Sequence, residues 1–266
     1  MRVPAGAVPE RVVVERLRAA GCVFAEEEAR LLLDEAQTPA SLAAMVDARV
    51  AGLPLEQVLG HAEFCGLRIA VDPGVFVPRR RTELLARQAA ALAATARPRP
   101  VVVDLCCGSG ALGAAVAAAA GPVELYAVEI DPRGVRCARR NLAACGAAVY
   151  EGDLFTPLPA TLHGRVDVLM ANVPYVPTEA IAMMPPEARE HEPRVALDGG
   201  ADGLEVLRRV TAEASRWLGP AGALLVETSE RQVPPAVEAF AGGGLDARVV
   251  ADEEIGATVV IGRPRR

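Results

Sequence analysis

Hydrophobic positions in the first fifty residues recur at the spacing of buried helix faces. One stretch follows the i, i+3, i+4, i+8 pattern with the residues Leu42, Met45, Val46 and Val50. The pair Thr38-Pro39 before it is typical of a helix start, because proline is tolerated in a first turn. The range 26–36 carries three leucines behind an acidic first turn, which suits the helix dipole. The pattern predicts three short helices over residues 10–50.

The pattern changes after residue 60. The range 64–71 alternates loosely between apolar and polar residues before the turn signal Asp72-Pro73-Gly74, so we expect a β-hairpin. Helical stretches then alternate with short apolar runs of the buried, parallel-strand type. The strands are predicted at 101–105, 125–129, 148–150, 166–171, 223–227 and 258–261. The helices are predicted at 82–94, with Thr82 as a possible N-cap, at 133–144 and at 204–218. A further, Ala-rich helix is predicted after the strand at 101–105. This alternation predicts an α/β fold with a Rossmann-like, doubly wound sheet.

These changes divide the chain into three predicted parts. They are an N-terminal helical domain over residues 1–58, a linking β-hairpin over 59–80 and an α/β domain over 81–266. The length of 266 residues suits a medium-sized domain with a smaller partner. With 52% hydrophobic and 23% charged residues, the chain can bury a substantial core.

The net charge and the cysteines limit the classes of binding partner and the cellular compartment that we expect. A formal net charge of −6 disfavours direct binding to nucleic acid, and the basic spots at 79–81 and 133–140 are interpreted as solvated faces. The six cysteines form no Cys-x-x-Cys pair and no signal peptide precedes them, so we expect reduced thiols and a cytoplasmic protein. The three dispersed histidines favour no metal site. The most apolar window, 111–120, is too short to span a bilayer, so no membrane partner is expected.

A glycine-rich turn over 104–110 follows the first predicted strand of the α/β part. Glycines such as Gly108 and Gly110 let the backbone approach a ligand closely, and ligands of such sheets lie beyond the carboxyl ends of the strands. Asp104 would face the cationic end of the ligand. Glu129, at the end of the next strand, can accept both hydroxyls of a ribose.

The turn alone leaves three interpretations open. The range 108–113 also matches the dinucleotide fingerprint Gly-x-Gly-x-x-Gly, with Glu129 where a ribose-binding acid would lie. Asp104 directly before the turn suits an ammonium group, which favours S-adenosylmethionine over a pyrophosphate. A tight structural turn is the third interpretation. Asp153, after the predicted third strand, either accepts the exocyclic amine of an adenine or serves as a turn or helix-cap residue.

The segment Asn172-Val173-Pro174-Tyr175 follows the strand at 166–171 and resembles the Asn-Pro-Pro-Tyr motif of methyltransferases that act on planar, conjugated nitrogens. The side-chain oxygen of Asn172 and the main-chain oxygen of Val173 can each accept one N–H of a flat NH2 group, which aims the nitrogen lone pair at the methyl donor. Tyr175 can stack on the planar group, and Pro174 fixes the chain direction. The chemistry requires neither a base before attack nor a metal. The alternative is a structural turn.

Three longer stretches resemble the bacterial protein-glutamine N5-methyltransferases of peptide-chain release factors, the HemK/PrmC family. They are 52–60, Val77-Pro78-Arg79-Arg80-Arg81-Thr82-Glu83, and 192–204, which contains Glu192-Pro193-Arg194 and Leu197-Asp198-Gly199-Gly200. The departures from the family pattern are Cys106 for the first glycine of the turn, Arg80 and Arg81 for residues that are usually proline and acidic, and Val173 for proline.

The resemblance implies a methyltransferase that takes S-adenosylmethionine to S-adenosylhomocysteine and modifies a glutamine in a Gly-Gly-Gln loop. It implies that the helical domain contacts the protein substrate, and that Asn172 and Tyr175 meet the target amide. The cofactor contacts expected from the turn, the strand ends and this resemblance are Thr82, Asp104, Cys106, Gly108, Gly110, Glu129, Asp153 and Asn172. The alternatives are an adenine-amine methyltransferase of nucleic acid, another planar-nitrogen methyltransferase, and a nucleotide-binding oxidoreductase.

Overall fold

A computed structural model describes residues 9–265 and places four helices in its N-terminal part. They are α1 (Glu10–Ala19), α2 (Ala25–Glu35), α3 (Pro39–Val50) and α4 (Leu55–Leu59). The three predicted helices are confirmed, and the short α4 is an addition. The predicted start of α3 is also confirmed: the N–H of Ser41 donates to Oγ1 of Thr38, and Oγ of Ser41 accepts from the N–H of Thr38, each at 3.0 Å.

A β-hairpin follows the helices, as expected from the alternating pattern. Its antiparallel strands are β1 (His61–Phe64) and β2 (Leu67–Ala70). Phe64 and Ile69 are buried in the same core cluster as residues of the α/β part, so the hairpin packs against that part.

The α/β part contains a seven-stranded sheet within the described residues. Its strands are β3 (Val101–Leu105), β4 (Glu124–Glu129), β5 (Ala148–Glu151), β6 (Val166–Ala171), β7 (Leu218–Thr228), β8 (Leu245–Asp252) and β9 (Ala257–Pro264). The order is β5-β4-β3-β6-β7-β9-β8, with β3 to β7 parallel and β9 antiparallel to both of its neighbours. The chain runs outwards from β3 in both directions, so the strand order reverses there. A crevice at the carboxyl ends of β3 and β6 is the expected ligand position in such a sheet.

Helices cover both faces of this sheet, which confirms the predicted doubly wound α/β fold. The helices of this part are α5 (Glu83–Ala96), α6 (Ala111–Ala120), α7 (Pro132–Asn141), the short α8 (Pro186–His191), α9 (Glu205–Trp217) and α10 (Val233–Gly242). The core on one face includes side chains of α5, α6 and α7, and the core on the other face includes side chains of α9 and α10. Within residues 9–265, no helix combines the length and apolarity that a membrane crossing requires.

Candidate active site

A cavity opens at the carboxyl ends of β3, β4 and β6, where the strand order reverses. Nine of the predicted site residues line it: Thr82, Cys106, Gly108, Glu129, Asp153, Asn172, Val173, Pro174 and Tyr175. Asp104 and Gly110 do not line the cavity, and Asp104 is fully buried. The fold therefore brings the glycine-rich turn and the Asn172 segment, which are far apart in sequence, to one site.

The glycine-rich turn owes its shape to three left-handed residues. Gly108 and Gly110 have φ angles of 54° and 81°, and Cys106 adopts φ 54° although it carries a Cβ. That conformation costs a residue other than glycine roughly 1–2 kcal/mol. Burial is the main cause that raises the pKa of the Cys106 thiol, with the nearby carboxylates of Glu129 and Asp104 adding to it. The thiol is therefore protonated at neutral pH and is not a nucleophile.

Asp104 stabilises the turn from the side away from the cavity. Its Oδ2 accepts the main-chain N–H of Gly113 in the first turn of α6 at 3.0 Å, while its Oδ1 has no hydrogen-bond partner among the described residues. Burial raises the pKa of Asp104 to about 8; the N–H of Gly113 opposes this shift and the charge of Glu129 adds to it. Its expected contact with the cationic end of the donor stays a prediction.

Glu129 links the ends of β3 and β4. Its Oε2 accepts the N–H of Gly108 at 2.7 Å and its Oε1 accepts the N–H of Asp131 at 2.8 Å. Burial raises the pKa of this carboxyl, and the main-chain N–H groups act in the opposite direction. Each carboxylate oxygen has a second acceptor position, so both can still accept ribose hydroxyls.

Asp153 lies on the cavity wall together with Arg209 of α9, a residue that sequence reasoning missed. The guanidinium of Arg209 donates to Oδ2 of Asp153 at 2.6 Å. Asp153 is therefore an ion-pair partner, and its Oδ1 remains as an acceptor for an exocyclic amine. No local signal around Arg209 marks it, because the contact joins residues 56 positions apart.

The amide of Asn172 is oriented by Thr82. Its Nδ2 donates to Oγ1 of Thr82 at 3.5 Å, and its Oδ1 is buried without a hydrogen-bond partner among residues 9–265. Thr82 occupies the N-cap position of α5, as predicted, but its side chain makes no capping hydrogen bond. An unsatisfied buried acceptor beside a cavity fits a ligand that brings an N–H donor.

Val173 is anchored differently from a proline. Its side chain is 1% exposed and packs in the core on the face covered by α9 and α10. The branched side chain thus fixes the loop by packing where the family motif has a ring, while the main-chain oxygen of the residue is retained.

The stretch 198–203 holds the main chain of the Asn172 segment. A Cβ on Gly203, which has φ 77°, would lie 2.3 Å from the main-chain oxygen of Tyr175, and a Cβ on Gly199 would lie 2.7 Å from that of Pro174. Nε2 of Gln232 donates to the main-chain oxygens of Tyr175 at 3.0 Å and Asp202 at 3.2 Å. These glycines therefore permit a close approach that any side chain would prevent.

An ion pair joins the stretch around Arg79, which lines the cavity, to the stretch around Glu192. Arg79 donates to both carboxylate oxygens of Glu192 at 2.6 Å, and Glu192 also accepts the N–H of Val77 at 3.2 Å. The side chain of Glu192 is fully buried, so this ion pair fixes the approach of the two stretches.

Arg81 and Glu227 are further residues that the sequence interpretation missed. Arg81 lines the cavity and contacts both Glu227 and the hydroxyl of Tyr175. A signal for Glu227 is present in the sequence, because it ends an apolar strand in the same way as Glu129 does. No group of His, Cys, Asp and Glu suited to a metal ion is found in the described part of the chain.

The site residues fit S-adenosylmethionine. The glycine-rich turn gives close access to the main chain, Glu129 offers acceptors for a ribose, and Asp153 offers one for an adenine amine. Asn172, whose Oδ1 has no hydrogen-bond partner among residues 9–265, lines the same cavity.

Comparisons with known proteins agree with this geometry. The family model described as "Methyltransferase small domain" matches residues 66–185. The chain is 37% identical to the release factor glutamine methyltransferase of Mycolicibacterium smegmatis, over 98% of this chain and 90% of the relative. It is 36% identical to the 4-amino-L-phenylalanine/4-methylamino-L-phenylalanine methyltransferase of Streptomyces pristinaespiralis, over 72% of this chain and 66% of the relative. A solved methyltransferase structure from Pyrococcus furiosus shares the fold, with a TM-score of 0.56 and 19% identity over 82% of this chain and 96% of that one.

The fold and the site define an S-adenosylmethionine-dependent methyltransferase. The chain belongs to the release factor glutamine methyltransferase family. The resemblance and the methyl donor expected from the sequence are thereby confirmed, and the interpretation as a dinucleotide-dependent oxidoreductase is not.

Proposed function

We propose that this protein transfers a methyl group from S-adenosylmethionine to the side-chain amide nitrogen, N5, of a glutamine in a peptide-chain release factor. The observation that supports this most directly is the unpartnered Oδ1 of Asn172 beside a cavity that also contains the glycine-rich turn. Membership of the release factor glutamine methyltransferase family supports the choice of substrate.

An amide nitrogen is a poor nucleophile because its lone pair is delocalised, and the residues around Asn172 raise its reactivity. Oδ1 of Asn172 and the main-chain oxygen of Val173 each accept one N–H of the target, so the lone pair leaves conjugation and points to the donor. S-adenosylmethionine supplies the methyl group, which the nitrogen takes as the bond from methyl to sulfur breaks. The same two oxygens stabilise the positive charge on nitrogen until one proton leaves to solvent.

The remaining site residues bind the methyl donor and orient Asn172 and the target carboxamide. Glu129 accepts the ribose hydroxyls and Asp153 the adenine amine, while Cys106 and Gly108 shape the wall along the donor. Asp104 and Gly110 support the turn from the side away from the cavity. Thr82 orients the side-chain amide of Asn172. Tyr175 stacks on the plane of the target carboxamide, and Pro174 fixes the chain direction between Val173 and Tyr175.

The helical part over 1–58 is proposed to contact the protein substrate, with the hairpin region 59–80 joining it to the methyltransferase part over 81–266. Val23 and Phe24, in the turn between α1 and α2, are 84% and 67% exposed, which suits a contact surface. Arg49 of α3 contacts Glu187 of α8 at 2.7 Å and so connects the helices to the segment that follows the catalytic motif.

Incubation with labelled methyl donor and a release factor tests the proposal. We expect label on the wild-type factor and none on a variant with alanine for the glutamine of its Gly-Gly-Gln loop. Label that persists on that variant would falsify the assignment. Parallel reactions with RNA and with free 4-amino-L-phenylalanine test the nucleic-acid and small-molecule alternatives. Label on RNA survives protease treatment, and label on the amino acid is found in the low-molecular-weight fraction.

A further inference from the structure

A buried carboxylate near the end of β7 is linked through Arg81 to the segment 172–175, the catalytic loop of the proposed function. Glu227 is 1% exposed, and its Oε2 has no hydrogen-bond partner within the part of the chain that the structure describes. Its Oε1 accepts from Nε of Arg81 at 3.0 Å. A buried charge is costly unless it is paired, so Glu227 requires the guanidinium of Arg81 at this place.

The same guanidinium holds the side chain of Tyr175. A terminal nitrogen of Arg81 donates to the hydroxyl of Tyr175, and the guanidinium carbon lies 5.7 Å from the centroid of the ring. Arg81 therefore holds the hydroxyl end of the ring and lies within cation–π distance of its centroid. Its Nε faces Glu227 at the same time, which fixes the plane of the guanidinium.

The main chain of Tyr175 is held by a separate contact. Nε2 of Gln232 donates to its main-chain oxygen at 3.0 Å, and Oγ of Ser229 donates to Oε1 of Gln232 at 2.7 Å. Loss of Arg81 would therefore release the ring while the backbone of the loop stays in place.

We propose that Arg81, anchored by the buried carboxylate of Glu227, is a positioning residue that fixes the ring of Tyr175 against which the planar target group stacks. The role of the ring rests on the proposed function, whereas the contacts that hold it do not. A ring that rotates away leaves the target nitrogen less well aligned with the methyl group, and small misplacements of reacting atoms lower rates steeply.

A kinetic comparison of two adjacent arginines tests this role. Arg80→Met is the matched control, because Arg80 is exposed and its side chain makes no hydrogen bond or ion pair within residues 9–265. With a release factor as substrate, we expect Arg81→Met to lower kcat about tenfold without a change in the KM for S-adenosylmethionine, and Arg80→Met to leave kcat within about twofold. Equal losses in the two variants would overturn the proposal.

A double-mutant cycle separates positioning from a general loss of structure. In a Tyr175→Leu background the ring is gone, so adding Arg81→Met should change kcat by no more than about twofold. A full tenfold loss in that background would show that Arg81 acts elsewhere.

A second measurement needs no substrate and is therefore independent of release factor methylation. In a Tyr126→Phe/Tyr150→Phe background, Tyr175 is the remaining tyrosine of the chain, so phenolate absorbance after rapid pH jumps reports on it alone. Burial raises the pKa of Tyr175, Glu227 raises it further and Arg81 lowers it. We expect Arg81→Met to raise this pKa, Glu227→Gln to lower it and Arg80→Met to leave it unchanged; an Arg81→Met variant that titrates as the parent does would refute the contact.

Discussion

Nδ2 of Asn172 lies 3.5 Å from Oγ1 of Thr82, so the nitrogen end of the carboxamide is turned to Thr82. The oxygen has no hydrogen-bond partner among residues 9–265, and in the proposed reaction it is the acceptor for the substrate. Thr82→Val keeps the shape of the side chain but removes its acceptor. The carboxamide can then turn over and present an N–H to the target, so we expect kcat to fall about tenfold, or about 1.4 kcal/mol. Steady-state kinetics at saturating donor measures this.

Thr82→Ser serves as the control for this prediction, because it retains the hydroxyl and loses a methyl group. We expect its kcat to stay within about threefold of the wild type. If Thr82→Val were as active as Thr82→Ser, orientation of Asn172 would depend on other contacts.

Asn172→Ala should separate catalysis from donor binding. The substitution removes an acceptor for charge that develops in the transition state, so we expect kcat to fall by about 10²–10³. The turn over 104–110, Glu129 and Asp153 remain, and thermal stabilisation by S-adenosylhomocysteine should therefore be retained. A variant that no longer binds S-adenosylhomocysteine would place Asn172 in donor binding rather than at the target nitrogen.

The hydrophobic pattern predicted those parts of the fold that are buried on both faces. The runs 101–105 and 166–171 form the central strands β3 and β6, in which every residue except the half-buried Asp167 is buried. The outer strand β8 was missed since only Leu245 among its residues is fully buried, which leaves no apolar run. The helix α10 was missed because Pro234 and Pro235 in its first turn obscure a short helical pattern.

Several of the predicted site residues end a strand or follow one directly, as Glu129 and Asn172 do. Their position is a local property of the sequence, because the carboxyl ends of parallel strands meet at one edge of the sheet. Arg81 and Glu227 are 146 residues apart, and their contact depends on the packing of β7 beside β6. Sequence patterns carry no information on such pairs unless the strand order is already known.

The titration of Asp104 predicts a loss of stability towards alkaline pH. Its pKa is about 8 in the folded protein and 3.8 for an exposed aspartate, so between these values the folded state binds more protons than the unfolded one. Stability from this group is therefore fully present below about pH 4 and declines as pH rises through about 8. Asp104→Asn keeps an oxygen for the N–H of Gly113 and does not titrate.

We expect the Tm of Asp104→Asn minus that of the wild type to grow between pH 5 and 8 and to level off above about pH 8. Scanning calorimetry of both proteins in matched buffers measures this difference. A difference that is constant over that range would mean that Asp104 is ionised throughout.

Gly203 and Gly244 make a matched pair that separates backbone strain from a steric effect on the catalytic loop. Their φ angles are 77° and 76°, so Gly203→Ala and Gly244→Ala should each lose roughly 1–2 kcal/mol of stability from strain. A Cβ on Gly244 meets no atom within 4 Å, whereas one on Gly203 would lie 2.3 Å from the main-chain oxygen of Tyr175. Only Gly203→Ala should therefore displace the loop and lower kcat, by tenfold or more, at a temperature where both variants are folded. Equal activities of the two variants, measured beside their unfolding curves, would show that close packing against Tyr175 is not needed for methyl transfer.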